Sequence, residues 1–144
     1  MNESRFVLHG NGLLSESLAR ASHMLEADLD AALEEHGLSR AKLGALGALM
    51  MAGEPIALGQ LAEQLTCVKS NITQLVDRLE ADGLVKRLAD DTDRRSKRAA
   101  LTDEGRRRYE VGLKIKEDVE NGIFKRLTAD EQRVMAAALE KLNL

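Results

Sequence analysis

Apolar residues recur every three or four positions along most of this chain, and the recurrence breaks at a few short glycine- and proline-bearing segments. From about Gly12 to Glu35, Leu14, Leu18, Ala21, Leu25, Leu29 and Ala32 write one helical stripe. "HGLS" ends it, with Gly37 suited to a left-handed stop and Ser39 to capping the next helix. That second helix, Ser39 to Ala52, carries Leu43, Leu46, Leu49 and Met50 before "AGEP" breaks the chain. Two shorter helices follow. "LGQLAEQL" (58–65) sets Leu58, Leu61, Ala62 and Leu65 on one side, and "SNITQLVDRLEADG" (70–83) does the same with Ile72, Leu75, Val76 and Leu79. Only "TCVK" separates them, which is the spacing of a helix-turn-helix.

The period then changes. "LVKRLA" (84–89) and "KRAAL" (97–101) predict two short strands, although Lys, Arg and Ala are poor strand formers. "DDTDRRSKR" (90–98) overlaps the second and makes the hairpin tip between them. "LTDEG" restarts helix with Thr102 as its cap and Asp103 and Glu104 at its positive end, and this helix extends to about Arg126. "TADE" (128–131) is a capping box opening a last helix with Val134 and Leu139 on its apolar side. The predicted fold class is mainly α with a small β-hairpin: a winged helix-turn-helix flanked by N- and C-terminal helices.

Composition supports helices. Phe6, Tyr109 and Phe124 are the only aromatic residues, there is no Trp, and Pro55 is the single proline, so Leu, Ala, Val, Ile and Met do the packing. No apolar run approaches the ~20 residues of a membrane span, and the start "MNESRFVLHG" lacks the pattern of a signal peptide. The single Cys67 forms no internal disulfide and suits a reducing, cytoplasmic location. Charge distribution changes the picture more than the net charge of −3 does. Residues 1–68 carry four basic and nine acidic side chains, residues 69–108 eleven and eight, and residues 109–144 six and seven. A positive middle between negative ends predicts a confined surface for a polyanion.

The segments "LAEQL", "SNITQLVDRLEADGLVKR", "DRR" and, five residues later, "LTDEG" resemble the MarR (multiple antibiotic resistance regulator) family of bacterial winged-helix transcription factors. The resemblance covers nearly the whole chain. It implies one family domain over 1–144, with dimerisation helices in 1–36 and 103–144 and a winged lobe over 39–102. It further implies a homodimer that sets two lobes on one double-stranded DNA, and a small-molecule effector bound where the dimerisation helices meet the lobe.

The residues themselves suggest how such a surface would read DNA. With Ile72, Leu75, Val76 and Leu79 inward, Ser70, Asn71, Thr73, Gln74, Asp77 and Arg78 face outward. A helix of this kind fits the major groove, where Asn and Gln pair with adenine and Ser or Thr with several bases. Lys69 and Arg78 supply longer-reach phosphate contacts. Family members often carry Arg where this chain has Gln74, so no relative's operator transfers to it. In the wing, Asp93 and Arg95 match the family's Asp-x-Arg pattern, which implies an arginine in the minor groove oriented by the acid, with Arg94 beside it. Of Lys97 and Arg98, strand alternation sends one toward the phosphates. Asp90 and Asp91 are expected to cap the turn or orient the arginines.

Other chemistry finds little support. Cys67 reads as filler of the inter-helix turn, and His9, His23 and His36 are too scattered for a metal site. No phosphate-binding glycine loop and no nucleophile–base motif are present, so neither catalysis nor a cofactor is expected. The reading from another functional class is a winged helix serving as a protein-interaction module; such a module has no need of Asp93, Arg94, Arg95, Lys97 and Arg98 together.

Overall fold

Ser39 Oγ accepts a hydrogen bond from the Lys42 backbone N–H, Thr102 Oγ1 from that of Gly105, and Thr128 Oγ1 from that of Glu131. Each satisfies an orphan donor at a helix start, and all three caps are legible in the sequence. The computed structural model describes residues 11–66, 69–89, 92 and 96–143. In order these form α1 (Asn11–Glu34), α2 (Arg40–Ala52), β1 (Ile56–Ala57), α3 (Leu58–Gln64), α4 (Lys69–Ala81), β2 (Val85–Ala89), β3 (Lys97–Leu101), α5 (Asp103–Phe124) and α6 (Ala129–Leu142). Thr128 and Glu131 close a complete capping box on α6. No described helix is long and apolar enough to cross a membrane.

Two expectations change. The sheet has three strands in the order β1-β3-β2, not two, because Ile56 and Ala57 pair with Ala99 and Arg98. β3 is therefore the central strand, and Ala99 and Ala100 are both buried where simple alternation would expose one. The fifth helix stops at Phe124, two residues before the expected end, and the chain turns through Lys125 into the next cap.

The core gathers Leu33 from α1, Leu46 from α2, Leu61 from α3, and Ile72, Val76 and Leu79 from α4, all fully buried. Removing each such side chain from water contributes about 2 kcal/mol. Gly83, at φ 74°, makes the left-handed turn that sends the chain from α4 into β2, and the Leu84 N–H closes it on Leu79 O at 2.9 Å. The roots of the hairpin are then joined: the Thr102 N–H donates to Leu84 O at 3.1 Å, and its hydroxyl donates to Gly83 O at 2.7 Å.

The outer helices are covered less. α6 holds no buried residue, and on it Val134 is 57% and Leu142 70% exposed. On α1, Leu14 is 71% exposed although the stripe predicted there is present. The inner end of α1 is held by Arg40, whose Nε lies 2.6 Å from Asp30 Oδ1 and whose Nη1 lies 3.2 Å from Glu26 Oε1.

The hydrogen bond from Arg40 holds the Asp30 carboxyl below its ordinary pKa. A folded pKa below the unfolded one means that this stabilisation is complete above about pH 4 and is lost as pH falls through the lower folded value. Both groups are exposed, so the contribution is small. An NMR titration of the Asp30 carboxyl is expected to show the low midpoint, and Arg40→Ala to return it to the ordinary range.

Candidate nucleic-acid interface

α4 buries Ile72, Leu75, Val76 and Leu79 on the lobe and leaves Asn71, Thr73, Gln74, Asp77 and Arg78 exposed, as the sequence predicted. Its approach from α3 is tight. Leu65 and Thr66 donate backbone hydrogen bonds to Leu61 O and Glu63 O, and Thr66 adopts φ 53°, a left-handed conformation unusual for a β-branched residue. Lys69 and Ser70 are the first two residues of α4 by their backbone. At the far end, Lys42 Nζ lies 2.7 Å from Asp82 Oδ2 and also donates to Gly37 O, tying the end of α4 to the α1–α2 turn.

One residue that sequence reasoning did not single out joins α4 to the wing. Arg87, in the middle of β2, reaches Asp77 Oδ1 at 2.5 Å with Nη2 and Glu80 Oε1 at 3.1 Å with Nη1. Its Nη2 also donates to Thr73 O at 3.3 Å, and its backbone N–H donates to Glu80 Oε2 at 2.9 Å. Partial burial opposes the charge on Arg87, yet its hydrogen bonds and charge pairing with Asp77 and Glu80 outweigh this and hold the guanidinium above its usual pKa. Asp77, read from sequence only as an outward residue, is thereby neutralised within the protein. The available signal was two acids three apart on the open side of α4, followed across a glycine turn by a strand cation.

β2 and β3 pair antiparallel over five positions, from Val85↔Leu101 to Ala89↔Lys97. Of the two basic residues on β3, Lys97 is exposed, while Arg98 is half-buried with Nη1 3.4 Å from Pro55 O. Lys97 is therefore the one directed outward. The readings placed on Cys67, Asp90, Asp91, Asp93, Arg94, Arg95 and His9 lie outside the described residues, as do the side chains of Lys69 and Ser70. His23 and His36 are exposed, and among the described residues no group of three His, Cys, Asp or Glu side chains is placed to hold a metal ion.

A helix-turn-helix that runs through a glycine turn into an antiparallel hairpin, with a third short strand closing the sheet, defines the winged helix-turn-helix class. The chain belongs to the MarR family. A model of that family matches residues 36–96. The uncharacterized HTH-type transcriptional regulator YkoM of Bacillus subtilis is 32% identical over 111 residues, which are 77% of this chain and 71% of that protein. The transcriptional activatory protein BadR of Rhodopseudomonas palustris is 34% identical over 96 residues, 65% of this chain. The match spans only 55% of BadR, little more than half of its length. Among solved structures, Escherichia coli MarR in its apo form superposes with a TM-score of 0.78 at 25% identity, covering 90% of this chain and 95% of that one. A cysteine-to-serine variant of the same protein, complexed with operator DNA, has the same fold, with a TM-score of 0.76 at 24% identity and coverage of 90% and 93%.

Proposed function

We propose that this protein is a homodimeric, cytoplasmic regulator of transcription that binds double-stranded DNA sequence-specifically, with α4 in the major groove and the wing in the adjacent minor groove. The observation that carries the reading is the Arg87 bridge. It fastens the middle of β2 to α4, so the exposed Asn71, Thr73, Gln74 and Arg78 of α4 and the exposed Lys97 of the strand paired with β2 belong to elements held to each other. Asn71 and Gln74 supply base-edge hydrogen bonds; Arg78 and Lys97, with Lys69, Ser70, Arg94 and Arg95 from the sequence reading, supply phosphate and minor-groove contacts, while Arg98 is turned toward Pro55.

The dimer rests on the uncovered helices. Leu18, Met24, Leu25, Phe124, Met135 and Leu139 line an apolar groove of about 420 Å³ between α1 and the α5–α6 corner. Exposed apolar surface of this extent on helices at both ends of the chain is what a partner copy covers. The domain division follows: helices within 1–36 and 103–144 dimerise, and 39–102 form the DNA-binding lobe. Each lobe then meets one half of a two-fold symmetric site.

A small effector fits the cleft of about 310 Å³ where α1, α2 and α5 meet, with Lys116 at its edge for an acidic group and Leu29, Leu43 and Tyr109 for an apolar body. Effector release of DNA requires only that the compound favour a lobe spacing that does not fit the site, by about 5.5 kcal/mol for near-complete switching. Repression is the expected mode, since two lobes clamped on a duplex exclude other proteins from it. The name of BadR marks the opposite sign in a relative, and a promoter-fusion assay decides between them.

Selection of bound duplexes from a random pool tests the whole reading. A two-fold symmetric motif is the expected result, and sedimentation of the free protein should give a dimer. An unenriched pool would leave the protein-interaction module as the better account.

A further inference from the structure

We propose that Arg87 is a positioning residue for duplex recognition: it fixes the rotation of α4 about its own axis relative to the wing, and thereby sets where Gln74 and Arg78 point. The inference rests on the DNA-binding reading above.

Thr73, Asp77 and Glu80 are spaced four and three residues apart, so they form one ridge along about two turns of α4. Arg87 engages all three members, through the Thr73 carbonyl oxygen and the two carboxylates. Gln74 and Arg78 each follow a ridge residue and lie one step, about 100°, around the helix from it. The buried face, centred about 120° around the helix from the ridge, consists of Ile72, Leu75, Val76 and Leu79, and its packing holds α4 on the lobe. A planar guanidinium forked between two carboxylates is directional. A small rotation of α4 would break this fork, so it sets the angle more finely than the apolar packing does alone.

The bridge also joins two elements that would enter different grooves. Its strand end is the centre of β2, and β2 is paired along its length with β3. The ridge therefore registers α4 against the whole hairpin root. An ion pair this close to solvent adds little to stability, and the Arg87 side chain is still 21% exposed. Its contribution lies in angle, and an angle is read as discrimination between duplexes.

The test compares the full-length wild type with Arg87→Lys, Arg87→Gln and Asp77→Asn. For each, the melting temperature is measured, with the affinity for the duplex recovered by selection and for an unrelated duplex of equal length. Lysine keeps the charge but cannot fork. Arg87→Lys is expected to lose about tenfold in affinity for the selected duplex and to stay within about twofold on the unrelated one, with the wild-type melting temperature nearly kept. Asp77→Asn removes a negative charge from the reading surface, so it is expected to bind the unrelated duplex more tightly while its preference for the selected one falls. A merely structural role does not produce opposite changes in affinity and preference.

Unchanged preference in Arg87→Lys and Asp77→Asn, or parallel losses on both duplexes, overturns the proposal. Should Arg87→Gln fail to fold, Asp77→Asn decides alone, because Asp77 is exposed and its replacement leaves the core untouched. A wild-type protein without preference for any duplex refutes the DNA-binding reading itself, and the positioning role with it.

Discussion

Between 50 and 200 mM salt, the dissociation constant for the selected duplex is expected to rise by about 10³- to 10⁵-fold. The size follows from how few and how concentrated the cations are. The chain carries a net charge of −3, so it has no bulk attraction for a polyanion, and binding depends on a local cluster. If each protomer neutralises about three to five phosphates, the released counterions give a log–log slope of about −5 to −9. Arg87 is excluded from that tally because Asp77 and Glu80 already compensate it. Its replacement by lysine should therefore leave the slope unchanged, whereas Arg78→Ala should reduce the magnitude of the slope by about one per protomer. A titration whose affinity barely responds to salt would contradict the whole interface.

The second large effect concerns stability. Gly105→Ala is expected to destabilise the fold by about 3 kcal/mol or more, a sizeable fraction of the total for a small domain. Gly105 is buried in the first turn of α5, and a Cβ there would overlap the Leu84 carbonyl oxygen and lie 2.7 Å from Leu101 Cδ1. The carbonyl cannot swing aside, because it accepts the Thr102 N–H that joins the hairpin roots. Gly122, in the same helix, has nothing within 4 Å of its added Cβ. Gly122→Ala should stabilise by about 0.5–1 kcal/mol through helix propensity. Thermal melts of the two variants should diverge by about 10 °C, and coincident melts would show that the close approach at Gly105 does not hold the molecule together.

Much of this architecture was legible because it is written in local rules. Three-to-four spacing gave the helices, the Ser39, Thr102 and Thr128 caps fixed starts to within a residue, and the helix-turn-helix spacing with two short strands gave the class. What escaped was not local. β1 is two residues long, so it has no period of its own, and only the unpaired edge of β3 creates it. The Arg87 bridge escaped because each partner taken alone looks like a solvated charge, and only the turn at Gly83 brings them together. The stripes on α1 and α6 were read correctly as apolar, but periodicity does not say what covers them. In the single chain most of Leu14, Val134 and Leu142 remains open.

The joined roots of the hairpin have an evolutionary consequence. Leu84 and Gly83 grip Thr102 at the base, and five paired positions follow before Ala89 and Lys97. Substitutions on the open faces of these five pairs can therefore accumulate without unfastening the base. A lineage can alter this surface by exchanging a handful of codons while the buried positions stay under separate selection.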